Sequence, residues 1–435
     1  MVHYVTLIHV NVPPVGERQW KVYRRRTLWA VAAILAPEYA IWAAYEQLHA
    51  AQRLKRELEQ QPNNADRFGL TYCFYVVMGG FAVDVDAIHD TSKYMTITPD
   101  GLVLLAQRGH FITLDKRTIQ DRSKADVLAK TLVCVQVAWL IIQSIGRAAN
   151  GLPIALLEVH VLAHVACALL LYAIWLKKPF NVMEATLVDD SIEFAQVLAL
   201  MLVLNERGPK NDEFFENRQM ADSSSAAEKP KSSAIDHDSS TTEPEPPKSG
   251  RSLGSVYSST PKDRERWSRA REAKKNGMPP YPQPFYLSER AKESNIWDLL
   301  MSDHAKPPPV IGLIISLAAA YAGIHLGAWG YHFPTEAEMW LWRGSGLVIA
   351  GIGPGYLTLL LITAAVRHII KDKWQCKSPF IDALGWIVFF GRLLLFAFLS
   401  VAARLFLLIE AFASVREMPI GVFVTMQWSD YIPHI

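Results

Sequence analysis

Residues 121–147 read DRSKADVLAKTLVCVQVAWLIIQSIGR, and this stretch decides the fold class. Its second half is apolar enough to enter a bilayer. At about 100° per residue, Arg122, Ala125, Ala129, Gln136, Gln143 and Arg147 fall on one narrow helical face. Val135, Ala138 and Ile142 lie on the other side. One side suits lipid, and the other needs protein, water or headgroups. That asymmetry predicts a bundle of membrane helices arranged around this one.

Apolar runs of about twenty residues recur on both sides of it, long enough to span hydrocarbon. They cover residues 27–46, 153–176, 310–329, 347–366 and 381–402, which with the central helix makes six expected spans. Residues 405–412 are expected to continue the last run at the interface. Pro37 and Glu38 interrupt the first run, which predicts a kink and a glutamate in need of a partner. Residues 69–83 (GLTYCFYVVMGGFAV) are short; they either turn back at Gly79-Gly80 or cross at a tilt. Residues 93–114 read as an extramembrane hairpin with its turn at Pro99-Asp100-Gly101. Residues 197–204 are too short to cross and are expected to extend an amphipathic helix starting near Asp189.

The fold class is therefore all-α, a polytopic transmembrane helical bundle with a long disordered cytoplasmic loop. Four segments follow: residues 1–26, membrane helices with a small hairpin in 27–205, a Ser/Pro/charged linker in 206–284, and a second helical set in 285–435. The linker is nearly free of large aliphatic residues. It carries serine clusters at 223–225, 232–233 and 239–240, and a basic helix at 262–275 (KDRERWSRAREAKK) suited to anionic headgroups or to solvent. Loop charge places the linker in the cytoplasm whether or not residues 69–83 cross. The membrane compartment stays open.

A net charge of +2 gives no bulk nucleic-acid signal. Trp29, Trp175, Trp329, Trp342 and Trp386 lie near span ends, as in interfacial belts. Cys73, Cys134, Cys167 and Cys376 form no C-x-x-C pair and read as small apolar residues. No cleavable leader is expected in residues 1–14. No nucleophile elbow, Walker loop, dinucleotide fingerprint or H-E-x-x-H motif occurs, so neither an enzyme nor a cofactor is expected.

Charge is costly in hydrocarbon, by about 2.5–3.5 kcal/mol on insertion scales, so intramembrane polar residues are the candidates for function. They are Glu38, Gln136, Gln143, Arg147, Glu158, His160, His164, Arg392 and Arg404, with Glu410 beside them. Glu38 and Arg392 lie deeper and are the better candidates for an internal ion pair, whereas Arg147 and Arg404 sit near span ends, within reach of headgroups. His160 and His164 share a helical face and resemble half of a metal site, but Glu158 is nearly opposite in phase. With no third ligand, interhelical hydrogen bonding is the expectation. Asp189, Asp190 and Glu193 suit either a cation at a cytoplasmic mouth or a solvated helix start. GIGPG at 351–355 suits close packing or a helix break.

Several stretches together resemble a large family of multi-pass membrane proteins from filamentous ascomycete fungi. They are HVNVPP at 9–14, APE at 36–38, DRSKAD at 121–126, GIHLGAWGYHFPTEAEMWLWR at 323–343, ARLFLLIEAF at 403–412 and WSDYIPHI at 428–435. The resemblance implies a polytopic membrane architecture and attaches no reaction. Members of that family begin with a further apolar helix before the HVNVPP-like segment, whereas this chain starts almost at it. That leaves the orientation of the first helix open.

Three functions are compatible with these features. A channel or transporter for ions or small solutes would use the polar stripe, the Pro37 kink and the GIGPG break. A sensor or scaffold would act through the cytoplasmic linker, with phosphorylation weakening its attraction to the membrane. A lipid-modifying enzyme, using His160 or His164 as base, has too few converging polar groups. The expected partners are the bilayer, other copies of the chain and cytoplasmic proteins bound by the linker.

Overall fold

Two helices, α1 (Gln19–Leu35) and α2 (Pro37–Glu59), meet at a 118° corner in the computed structural model. Pro37 causes it: its missing N–H ends the α1 ladder, and its ring keeps Ala36 out of helical conformation. Ala36 sits at φ −148°, ψ 66°, and Pro37 then opens α2, where the absent donor costs nothing. The expected kink within one span is thus a corner between two helices. The structure describes residues 11–61, 68–112, 124–179, 182–188, 192–207, 260–275, 285–291, 308–369 and 379–424.

After α2 come α3 (Leu70–Val77), strands β1 (Phe81–Asp84) and β2 (Tyr94–Ile97), and α4 (Pro99–Gln107). Two long helices follow, α5 (Lys124–Ala149) and α6 (Leu156–Ile174). Then come β3 (Thr186–Leu187), α7 (Ile192–Arg207), α8 (Pro261–Lys275) and β4 (Leu287–Ser288). The chain closes with α9 (Pro308–Leu326), α10 (Glu336–His368) and α11 (Pro379–Ala413), then 3-10 turns at Ser414–Glu417 and Ile420–Phe423.

The molecule is mostly helical, but it is not all-α. Four short strands pair in the order β3-β1-β2-β4. Ala82 faces Thr96 across the antiparallel β1–β2 pair, Phe81 faces Thr186 in the parallel β1–β3 pair, and Thr96 faces Ser288 across β2–β4. Residues 69–83 hold no helix long enough to cross: they are a short helix, a glycine turn and a strand. The α3 helix stops after eight residues, Gly79 turns the chain at φ +85°, and FAVD enters the sheet. A Cβ on Gly79 would meet Ala291 Cβ at 2.8 Å.

The Pro99-Asp100-Gly101 sequence is likewise a helix start and not a hairpin turn. Thr98 caps α4, its hydroxyl accepting from Gly101 N at 3.1 Å, with Pro99 next in line. The Thr98 hydroxyl in turn donates to Phe285 O at 2.7 Å and Tyr286 O at 2.9 Å. Thr98→Ala is expected to cost about 1 kcal/mol, seen as faster hydrogen exchange in α4.

Around this sheet, α3, α4, α7 and α8 build a lobe. α7 is the run expected to be amphipathic, yet Phe194 to Leu204 are nearly all buried. α8 lies inside the segment expected to be disordered and packs on α7 with Trp267, Ala270 and Ala273 buried. It is the predicted basic helix, but Lys262 spends its charge on Asp86 at 2.9 Å. That contact holds the Asp86 carboxyl below its usual range. Burial pushes the Cys73 thiol of α3 up to about 12. The serine clusters of the linker lie outside the described residues.

The centre of the helical part is α6, which touches α2, α5, α9 and α11. The helix expected to organise the bundle, α5, is peripheral. Leu132, Val135, Gln136, Trp139, Ile142 and Ile145 all face outward. Among the described residues, Leu156–Ile174, Glu336–Thr363 and Phe390–Glu417 are long and apolar enough to cross a membrane. A fourth arises only if α1 and α2 count as one bent span. Six spans are not found. The corner divides the first run, and the apolar parts of α5 and α9, Cys134–Ala149 and Gly312–Leu326, are shorter.

GIGPG does not break its helix. α10 runs through Pro354, and the glycines admit neighbours: a Cβ on Gly353 would lie 2.7 Å from Ile315 Cγ1. Residues 405–412 are the continuing end of α11. Trp342 and Trp175 are core residues, not belt residues, while Trp329 is exposed. Trp386 has no described side chain. Cys73 and Cys167 are buried free thiols and Cys134 is half-buried, whereas Cys376 lies outside the described residues.

Candidate functional site: a buried histidine–tyrosine quartet

On α6, His160 and His164 stand one turn apart, so both imidazoles leave the helix on one face. α9 repeats the device with Tyr321 and His325. The two helices pack together, and the four rings close into a quartet. Ring centroids are 4.6 Å apart for His160–His164, 5.4 Å for His164–Tyr321, 4.6 Å for Tyr321–His325 and 5.2 Å for His325–His160. All four side chains are buried.

The hydrogen bonds set the direction of the quartet. His325 Nδ1 donates to the Tyr321 carbonyl at 2.9 Å, so its Nε2 must accept. His160 Nδ1 lies 3.0 Å from that Nε2 and supplies the proton. The Tyr321 hydroxyl and His164 Nε2 lie 3.2 Å apart, and either group can donate. Trp342 of α10 closes the site from above, its Nε1–H donating to the His325 carbonyl at 3.0 Å.

An ion pair adjoins the quartet. Arg404 of α11 reaches Glu38, the second residue of α2, at 2.6 Å, with side-chain exposures of 3% and 14%. The Arg404 guanidinium lies 5.2 Å from the Tyr321 ring centre, and its Nε approaches Ser400 Oγ at 3.3 Å. Arg404 Nη1 and Glu38 Oε2 are buried with no partner among the described residues. The internal partner of Glu38 is therefore Arg404 and not Arg392.

The other candidates have local duties. Arg392 donates to Leu359 O at 3.2 Å and Thr363 Oγ1 at 2.8 Å, stitching α11 to α10. Arg147 is buried. It donates to Pro153 O at 2.8 Å and Gly421 O at 3.2 Å, tying the C-terminal turn to the α5–α6 connection. Glu158 accepts from Ala155 N at 3.0 Å as a helix cap. Gln136 is exposed and Gln143 half-buried. Glu410 is buried, with Oε1 unpartnered among the described residues. Asp189 and Asp190 lie outside those residues, and the Glu193 side chain is not described.

Sequence reading found His160, His164, Glu38 and Arg404 and missed Tyr321, His325 and Trp342. A signal was present, because Tyr-x-x-x-His on an apolar helix has the spacing of His-x-x-x-His. Among the described residues no group of three or more His, Cys, Asp or Glu side chains can hold a metal ion. The quartet instead suits proton exchange, since each neutral imidazole offers one donor and one acceptor.

No curated protein and no solved structure matches the chain. The model of a family of unknown function, DUF8562, matches residues 2–264 and 310–435. With nearly its whole length covered, the chain belongs to that family.

Proposed function

We propose that this is a multi-pass membrane protein that moves protons, alone or with a small solute, across its bilayer. One observation carries the reading. Glu38, Arg404, Tyr321, His164, His325 and His160 form one buried polar cluster among helices α2, α6, α9 and α11. Ionisable groups at membrane depth are costly and typically mark solute or proton pathways.

In this reading α5, α6, α9, α10 and α11 cross, and the lobe lies on one side. The connections on the opposite side meet one another: Tyr331 Oη accepts from Ile154 N at 3.2 Å, and Arg416 pairs with Glu338. Arg343 stacks on Trp329 at 4.7 Å and Trp340 at 5.2 Å there, as interfacial residues do. Residues 150–155 and 327–335 carry no Lys or Arg. The lobe side carries Lys177, Lys178, Lys262 and the rest of α8, which orients it to the cytoplasm.

The test is proton flux into liposomes holding the purified protein under an imposed pH gradient, followed with an enclosed pH-sensitive dye. His160→Phe/His325→Phe keeps ring volume and removes the imidazole hydrogen bond. Flux well above empty liposomes, falling at least tenfold in the double variant, is the expected result. Wild-type flux equal to that of empty liposomes, in folded and oriented protein, overturns the proposal.

A further inference from the structure

The two arms of the α1–α2 corner both begin and end at the lobe. Glu17, just before α1, binds Arg25 at 3.0 Å and Arg290, just after β4, at 3.2 Å. Arg26 contacts Met183 Sδ at 2.9 Å, beyond the lobe-side end of α6. Asn11 accepts from Gln47 of α2 at 3.3 Å, and Val12 N donates to Met78 O at 2.8 Å. The far half of α2 packs on α3 and α4, and Arg53 reaches Asp100 at 3.6 Å. The tip points away from the lobe, where Glu38 meets Arg404 beside the quartet.

Length and composition agree with this geometry. The apolar parts, residues 27–35 in α1 and 37–45 in α2, each rise roughly 14 Å, about half of a 30 Å hydrocarbon core. The polar parts, with Arg18, Lys21, Arg24, Arg25 and Arg26 on one arm and Arg53, Lys55 and Arg56 on the other, lie at the same end. The outer face of α1 exposes Trp20, Tyr23, Leu28 and Val31, and Arg24 stacks over Trp20 at 5.4 Å. Apolar residues deep, with aromatic rings and cations interleaved above them, suit one leaflet with anionic headgroups.

We propose that α1 and α2 form a re-entrant wedge. It enters the lobe-side leaflet, contacts its lipid and anionic headgroups through the outer face of α1, and turns back at Ala36 without crossing. The polypeptide then crosses five times, so the start of α1 and the end of α11 lie on opposite sides. The wedge delivers Glu38 to mid-membrane, as half-helices of solute pathways do. The inference rests on the multi-pass reading above, and its test separates the two.

Single cysteines at Lys21→Cys, Gln52→Cys, Ser268→Cys and Asn150→Cys, all exposed sites, are placed in sealed, uniformly oriented vesicles. Each is labelled with an impermeant maleimide and read against the parent protein. The wedge predicts that positions 21, 52 and 268 label from one side and 150 from the other. A Leu28→Cys thiol should be shielded until detergent is added. Labelling of position 21 together with 150, opposite 52, makes α1–α2 a true span and overturns the wedge. Equal labelling of 150 and 268 from one side overturns the multi-pass reading itself. An independent arm needs no substitution in α1: terminal epitope tags should be protected from protease on opposite sides for a wedge and on the same side for a span.

Discussion

Arg404→Met is expected to destabilise the protein by about 3–5 kcal/mol, the usual cost of removing one partner of a buried ion pair. The change leaves the Glu38 carboxylate without its cation, with one oxygen already unpartnered among the described residues. Methionine matches the length of the arginine stem, so lost packing contributes little. The measurement is the denaturation midpoint in detergent micelles. Glu38→Gln/Arg404→Met should recover most of the loss, because the penalty belongs to the orphaned charge and not to the missing attraction. A single variant within about 1 kcal/mol of the parent would mean that water reaches the pair. Such a pair, with Arg404 Nη1 also unsatisfied, is poor value for stability alone. That is an argument for a functional role next to the quartet.

The sequence was a good guide to helices and a poor one to their arrangement. Apolar runs marked α6, α10 and α11 because period and length are local properties. The Pro37 corner was legible as a disruption, but its angle was not: whether a proline kinks or divides a helix depends on what packs against both sides. The error over α5 has a specific cause. A stripe containing Gln136, Gln143 and Arg147 looks like an inward face when inward is assumed to mean polar. The inward face is set by packing, and α6, which carries Glu158, His160 and His164, is the central helix. Tyr94–Ile97 was expected as the first arm of a hairpin but with the wrong partner, and the other three strands were missed, for a similar reason. FAVD and YMTI are four residues each, and the pair they form is completed by partners at 186–187 and 287–288, far along the chain. Half of the quartet was legible as His160 and His164. The other half lay on a helix whose polar marks were Ser316, Tyr321 and His325, and nothing local joins positions 165 residues apart.

Trp342→Ala is the second large effect expected, about 3–5 kcal/mol for a fully buried indole. Trp342 touches the quartet twice. Its ring lies 5.6 Å from the His325 ring, and its Nε1–H donates to the His325 carbonyl at 3.0 Å. His325 sits in the last turn of α9, and its carbonyl accepts both from Ala328 N at 3.1 Å and from the indole, which fixes that helix end from another helix. Trp342→Phe separates packing from capping. It keeps most of the apolar volume, removes the donor, and should cost about 1–2 kcal/mol. If the quartet carries protons, Trp342→Phe should also lower flux by more than its stability loss accounts for. Loss of that interhelix hydrogen bond loosens the turn that holds His325 Nε2 within 3.0 Å of His160 Nδ1, and proton transfer is sensitive to that distance. Unchanged flux in a Trp342→Phe protein of near-parental stability would restrict the tryptophan to core packing. A stability loss as large as that of Trp342→Ala would show instead that the buried hydrogen bond, and not the volume of the ring, holds α10 against α9.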